Sequence, residues 1–256
     1  MALWVLTAAL LSAGTGADLH LGLFSSDSGR TKPRSAAVAV KTACKPELRA
    51  WLNARRRNLT RLTEDPATEE FLQSQLARHD FGRCAVVANS GTLLKRGYGA
   101  EIDAHEVVIR LNSAPAGGLL GGNVGERTTH RVMTLPWMKY YGSAGEETRR
   151  EHEASAGTSL LHMPSSSSTG PVGRTALREY AAEREGVELA EMSSELRASA
   201  QALVDTFVGC AKSKADISFG GAAVTTPSIL AITLAAGLCK RLSIFGVSGV
   251  SERYKA

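Results

Sequence analysis

The sequence predicts an α/β protein in which helices cover a parallel sheet. Short apolar runs of strand length alternate along the chain with longer segments that have helical spacing. The runs are apolar at consecutive positions rather than at every second one, which is typical of parallel strands buried on both faces. The two clearest runs end in asparagine, a residue that favours a turn. Strands and helices that alternate in this way indicate the α/β class.

The individual elements follow from the same patterns. Strands are predicted where a short apolar run is bounded by polar or turn-forming residues, at Cys84–Ala88, Val107–Leu111, Thr128–Leu135, Ser159–Met163 and Leu242–Phe245. Helices are predicted where apolar residues recur at helical spacing, at Glu47–Arg57, Ala67–Ala77, Arg174–Arg184, Ser193–Lys212 and Ser228–Leu238. The polar stretch Pro164–Gly173 predicts a loop.

Composition excludes several classes of protein. A chain of 256 residues with 43% hydrophobic residues can bury a sizeable core, so global disorder is excluded. Its 25 glycines and 8 prolines have no fixed period, which excludes collagen. The net charge is +5, yet the longest basic run is Arg55–Arg57. This mild and dispersed charge favours a small anionic ligand over a nucleic acid.

The amino terminus predicts targeting to the secretory pathway. Residues 1–17 carry no charge, and small residues follow their apolar core, so they are interpreted as a signal peptide or a short signal anchor. A buried N-terminal helix is the alternative. Residues 18–43 are interpreted as a stem or linker. Either targeting interpretation places the rest of the chain in the lumen, held at the membrane if the segment is not cleaved.

Two further features agree with a lumenal location. Asn58-Leu59-Thr60 is an acceptor site for N-glycosylation, although such tripeptides are common. The four cysteines lack the spacing of a zinc site and are sufficient for two disulfides. For Cys44 and Cys210, buried free thiols are an equally good interpretation.

Asn89 and Asn112 are candidate ligand-binding residues because each follows a predicted strand. Ligands of open α/β sheets bind beyond the carboxyl ends of the strands. An amide supplies donors and an acceptor for a phosphate, ribose or base. The alternative is that these asparagines only form turns. The chain has no phosphate-binding P-loop, no dinucleotide fingerprint and no His or Asp motif for a metal, so we expect no cofactor and no divalent cation.

The segment Cys84–Met133 resembles the large sialylmotif of eukaryotic sialyltransferases. The matching positions are Cys84, Asn89-Ser90-Gly91, Gly99, Glu101-Ile102-Asp103, His105, Arg110, Asn112, Ala114-Pro115, Val124-Gly125 and Thr128-Thr129. Residues Phe219–Gly246 resemble the small sialylmotif, through Leu230, Leu234, Leu238-Cys239 and Phe245-Gly246. The two segments together cover roughly a third of the chain, and the first match is highly specific.

The resemblance implies a Rossmann-like fold, a variant of the GT-A type. It implies metal-independent, inverting transfer of sialic acid from CMP-sialic acid to a hydroxyl of a glycoprotein or glycolipid glycan. It also implies a lumenal location at the Golgi membrane. Asn89, Ser90 and Asn112 match residues that bind the donor. Cys84 and Cys239 match the family's disulfide between the two motifs.

This sequence departs from the family pattern in the small motif. The slot that usually reads Pro-Ser-Thr-Gly is Thr225-Thr226-Pro227-Ser228 here. The resemblance places Thr226, Pro227 and Ser228 at the donor. Ser228 replaces the glycine, and it either crowds the donor phosphate or caps the following helix.

The family's general base is a histidine that follows the small motif, and no histidine follows His162 here. The sequence therefore leaves the catalytic base unknown, and neither His105 nor His130 is assigned that role. We expect residues 44–256 to form a catalytic domain that is incomplete at its carboxyl end. The alternative is a non-catalytic short form that binds CMP, a nucleotide sugar or a glycan.

Overall fold

The computed structural model describes residues 43–58, 73–75, 78–134, 136–138, 140, 158–162, 170–216 and 226–247. The predicted targeting segment, nearly all of the predicted stem and most of the predicted helix Ala67–Ala77 lie outside the described residues. Within the described part, no helix combines the length and the apolar character needed to cross a bilayer.

The described elements are helices and parallel strands that alternate along the chain. The strands are β1 (Arg83–Val87), β2 (Val107–Leu111), β3 (His130–Met133), β4 (Ser159–His162), β5 (Glu188–Glu191) and β6 (Arg241–Phe245). The helices are α1 (Lys45–Asn58), α2 (Gly99–Asp103), α3 (Gly121–Val124), α4 (Gly170–Ala182), α5 (Ser194–Ala215) and α6 (Pro227–Leu238). Two 3₁₀ turns, Gly91–Lys95 and Gly118–Leu120, follow β1 and β2.

All six strands form one parallel sheet in the order β5-β4-β3-β2-β1-β6. The chain adds strands outward from β1 to β5 and then returns to place β6 on the other side of β1. The strand order therefore reverses between β1 and β6. In doubly wound sheets such a reversal opens a crevice at the carboxyl ends of the strands, where ligands bind.

The two faces of the sheet bury different helices, since successive strand residues point to opposite sides. Val86 and Ile109 belong to a large core that also contains Leu48 of α1, Phe207 of α5 and Ile232 of α6. The alternate strand residues Ala85, Val87 and Val108 pack with Ile102 of α2 and Val124 of α3. Strands buried on both faces explain why their sequences lack a polar alternation.

The short helices α2 and α3 approach closely because glycine lies at their contact. A Cβ atom at Gly99 would lie 2.2 Å from the carbonyl oxygen of Gly121. A side chain at this position would collide with the backbone of α3 and force the two helices apart. Gly99 is therefore required sterically.

Several predicted boundaries differ from the observed ones. Strand β3 is shorter than predicted, and α4 begins at Gly170, inside the segment predicted as a loop. Helix α5 extends beyond the predicted end at Lys212 to Ala215. The sequence analysis missed β5, because this edge strand is only partly buried and begins and ends in glutamate.

Two disulfides cross-link the described part of the chain. Cys44 pairs with Cys210, which joins the residue before α1 to α5, and no cysteine remains free. This bond resolves the two interpretations of Cys44 and Cys210 in favour of the disulfide. Cys84 in β1 pairs with Cys239 at the end of α6, as the resemblance implied. Each bond joins residues more than 150 positions apart in sequence.

Candidate functional site

The carboxyl edge of the sheet collects the predicted ligand-binding residues. Asn89 follows β1 and Asn112 follows β2, and these two strands are neighbours. Helix α6 leads into β6, which begins beside the start of β1 at the amino edge. Because α6 spans about 18 Å at 1.5 Å per residue, close to the length of a strand, its first turn lies at the carboxyl edge.

Asn89 has an unsatisfied acceptor at this edge. Its Nδ2 donates a hydrogen bond of 3.3 Å to Oγ of Ser113, which joins the turn after β1 to the turn after β2. Its Oδ1 is buried and has no hydrogen-bond partner in the structure. A buried acceptor without a partner costs free energy, so this oxygen is suited to receive a donor group from a ligand.

Asn112 is held in a defined orientation by the end of β3. Its φ is 48°, in the left-handed region that asparagine tolerates better than most residues. Its Oδ1 accepts from the backbone N–H of Thr134 at 3.0 Å and from the Thr134 hydroxyl at 3.2 Å. The described contacts of the Asn112 amide use Oδ1. The two N–H donors of Nδ2 can therefore bind a ligand.

Ser90 orders the turn that follows β1. Its Oγ accepts from the backbone N–H of Thr92 at 3.3 Å and from the Thr92 hydroxyl at 2.9 Å. The serine therefore caps the 3₁₀ turn Gly91–Lys95, and its side chain is buried. Its described contacts shape the backbone at the site.

The amino end of α6 supplies the remaining predicted residues. Thr226 is the N-cap, since its Oγ1 accepts from the backbone N–H of Ile229 at 3.4 Å, and Pro227 occupies the first helical position. The proposed capping role of Ser228 is therefore wrong, because Thr226 performs it. Ser228 lies half-buried in the first turn of the helix. In this turn Pro227 has no N–H and the N–H of Ile229 is bonded to Thr226, which leaves that of Ser228 as the donor for an anion.

The sequence analysis assigned no role to two fully buried arginines in the sheet. Arg110 of β2 and Arg131 of β3 are both 0% exposed and are register partners on the face that packs against α2 and α3. Arg110 donates to the carbonyl oxygens of Pro115, Val124 and Arg127 and so holds the long segment between β2 and β3. The available signal was a charged residue inside an otherwise apolar strand, which requires specific partners when buried.

Three of the four described histidines lie at the opposite edge. His79 precedes β1, His105 precedes β2 and His130 begins β3, so all three are near the amino ends of the strands. The ring of His105 contacts Oγ of Ser243 at 2.9 Å, and that of His130 contacts Oε1 of Gln75 at 2.9 Å. These imidazoles stabilise the fold. The fourth described histidine, His162, ends β4 at the carboxyl edge.

Burial of His130 makes the stability of the fold depend on pH. Desolvation, with a smaller effect of nearby His79, lowers the pKa of His130 from 6.5 to about 3. Between these values the unfolded chain binds a proton that the folded chain does not, so stability falls as pH falls, by up to about 1.4 kcal/mol per pH unit. Urea unfolding at pH 7 and pH 5 measures this slope. We expect His130→Gln to flatten it, and an equally steep slope in that variant would contradict the assignment.

The site has no arrangement that suggests a metal centre. Across the described ranges, no group of three or more His, Cys, Asp or Glu side chains is placed to hold a metal ion. The groups that the carboxyl edge does offer to a ligand are the side-chain amides of Asn89 and Asn112 and the first turn of α6. This set suits an anionic organic ligand with several hydrogen-bonding groups.

A family model for glycosyltransferase family 29 (sialyltransferase) matches residues 31–254 of the chain. This chain belongs to that sialyltransferase family. A mouse relative, CMP-N-acetylneuraminate-beta-galactosamide-alpha-2,3-sialyltransferase 1, is 38% identical over 93 residues, which are 36% of this chain and 26% of the relative. The mouse alpha-2,3-sialyltransferase 2 is 53% identical over 51 residues, which are 20% of this chain and 14% of that protein.

The chain was also compared with solved structures. A crystal structure of a mammalian sialyltransferase is similar over 79% of this chain and 67% of the solved chain, with 21% identity and a TM-score of 0.46. The aligned part of this chain spans about a quarter of the length of the mouse sialyltransferase 1 and 14% of the length of the mouse alpha-2,3-sialyltransferase 2.

Proposed function

We propose that this chain binds CMP-sialic acid at the carboxyl edge of its sheet and transfers the sialic acid to a hydroxyl group of a glycoprotein or glycolipid glycan. The observation that carries this proposal is the placement of Asn89 and Asn112 directly after the neighbouring strands β1 and β2, where Asn89 contacts Ser113 in the turn that Asn112 begins. Family membership supplies the reaction class. The relatives named above are sialyltransferases that use beta-galactosamide acceptors according to their names.

Each donor-site residue has a proposed role. The free Oδ1 of Asn89 accepts from the nucleoside, and Nδ2 of Asn112 donates to it or to the phosphate. The first turn of α6 offers the backbone N–H of Ser228 to the phosphate, since Pro227 has no N–H and that of Ile229 is bonded to Thr226. Hydrogen bonds to the phosphate stabilise the charge that develops as CMP leaves, which is the main electrostatic contribution to such a transfer.

The proposed reaction uses neither a metal nor an organic cofactor. The acceptor hydroxyl attacks the anomeric carbon from the side opposite to CMP, which inverts the configuration. A base that takes the hydroxyl proton would contribute about 10²- to 10⁴-fold to the rate. No described side chain is assigned this role.

We place the reaction in the lumen of the Golgi, with membrane attachment through the N-terminal segment if it is retained. Two disulfides fit the oxidising secretory pathway. Asn58 is the last residue of α1, and its glycosylation would fit the same compartment.

A non-catalytic CMP-binding form remains the second candidate. It is favoured by the position of His79, His105 and His130 at the edge opposite the donor site. Binding and transfer must therefore be measured separately. Wild-type chain that binds CMP and forms sialylated product supports the transferase, whereas binding without product in the presence of a β-galactoside acceptor supports the binding form.

The first test is a calorimetric titration of CMP into the full chain. We expect measurable binding to the wild type and at least about tenfold weaker binding to Asn89→Ala, since the variant removes the buried acceptor from the site. Asn53→Ala, on α1, removes an amide that the proposed site does not use, so it is the matched control and should bind as the wild type does. A folded chain that releases no heat with CMP would refute the proposed donor site.

A further inference from the structure

Arg131 is a buried cation whose hydrogen bonds are incompletely satisfied. It lies in β3 with 0% of its surface exposed. Its Nη1 donates to the backbone carbonyls of Asn112 at 2.6 Å and Ala114 at 3.0 Å. Its Nε and Nη2 are buried and have no acceptor in the structure. Such groups are rare in folded proteins, because each leaves the cost of desolvation without compensation.

The guanidinium of Arg131 lies directly beneath the turn that carries Asn112. Both of its acceptors are carbonyls of that turn, and one belongs to Asn112 itself. The same turn has the left-handed backbone at Asn112 and the side-chain contact from Asn89 to Ser113. Arg131 is thus the interior support of the candidate donor site.

A second buried guanidinium lies beside Arg131. Arg110 is the register partner of Arg131, and adjacent strands lie about 4.8 Å apart. Five described hydrogen bonds join Arg110 to carbonyl oxygens and to the hydroxyl of Thr128. Arg110 therefore holds the segment between β2 and β3 next to the turn that Arg131 supports.

We propose that Arg131 is a positioning residue whose buried charge makes this site selective for a phosphate-bearing nucleotide over the corresponding nucleoside. The residue acts in two ways. It holds the Asn112 turn through two carbonyls, and it places a positive charge beneath that turn, whose amide faces the ligand. This inference rests on the proposed function, which supplies the phosphate-bearing ligand.

The test compares CMP with cytidine, which share a base and a ribose and differ in the phosphate. Dissociation constants are measured by calorimetry on the full chain, for the wild type, Arg131→Gln and Arg131→Lys. Glutamine can still donate to the Asn112 carbonyl but carries no charge. The preference for CMP is the ratio of the two dissociation constants. We expect it to fall about tenfold in Arg131→Gln, because the variant removes one screened charge near the ligand. In Arg131→Lys, which keeps the charge, we expect it to change less than about twofold.

The matched control is Arg83→Gln, which removes the same charge at the amino edge of the sheet, where Arg83 pairs with Glu106. Its CMP preference should equal that of the wild type. A merely structural role for Arg131 would weaken CMP and cytidine equally. The inference is overturned if folded Arg131→Gln keeps the preference or, should that variant not fold, if Arg131→Lys loses it. Wild-type chain that binds neither ligand would overturn the proposed function itself.

Discussion

We expect Asn112→Asp to raise the dissociation constant of CMP at least about 100-fold while the fold stays intact. Aspartate is close in shape to asparagine, tolerates the left-handed backbone and keeps the oxygen that accepts from Thr134. It replaces the Nδ2 donor by a negatively charged oxygen. Loss of a hydrogen bond to a charged ligand costs about 1.5–3 kcal/mol, and repulsion of the phosphate adds to this. Calorimetry measures the affinity, and thermal unfolding without ligand measures the fold.

Two variants separate the amide of Asn112 from its backbone. Asn112→Gly and Asn112→Ala both remove the amide, but alanine in a left-handed conformation costs about 1–2 kcal/mol and glycine does not. We therefore expect both to weaken CMP binding, with Asn112→Ala less stable than Asn112→Gly. If Asn112→Asp binds CMP within threefold of the wild type, the amide does not contact the ligand.

Removal of the Cys84–Cys239 disulfide is expected to lower the free energy of unfolding by about 5 kcal/mol. The residues are 155 positions apart, so the bond excludes a large part of the unfolded ensemble in the chain-entropy model. Whole domains are stable by only about 5–15 kcal/mol, so this loss would leave little of the fold. The double variant Cys84→Ala, Cys239→Ala avoids a free thiol, and its urea unfolding curve is compared with that of the wild type.

The second disulfide provides a control of nearly equal loop length. Cys44 and Cys210 are 166 positions apart, so the entropy model predicts almost the same cost for Cys44→Ala, Cys210→Ala. The two bonds differ in place, since Cys84 lies in β1, which is paired on both sides, and Cys44 lies just before helix α1. A much larger loss for the Cys84–Cys239 pair would show that the bond also maintains native packing. Unchanged unfolding of both variants would contradict the entropic account.

The sequence was sufficient for the fold class and for the placement of two candidate residues at one edge of the sheet. Apolar runs such as Cys84–Ala88 and Val107–Leu111 are buried on both faces, so their composition carries a clear signal of parallel strands. The shared location of Asn89 and Asn112 could also be predicted, because residues that follow adjacent parallel strands must lie at one edge of the sheet. Peripheral elements were harder to predict from the sequence. The edge strand β5, for example, is polar in composition and only partly buried.

Only the tertiary structure decided which partners the polar groups have. The capping of α6 by Thr226 rather than Ser228 depends on where the helix begins, which the local sequence left open. The pairing of Cys44 with Cys210 depends on how α1 packs against α5. The unmade hydrogen bonds of Arg131 and Asn89 become visible only when every neighbour is in place, because a side chain's burial and its partners come from segments distant in sequence.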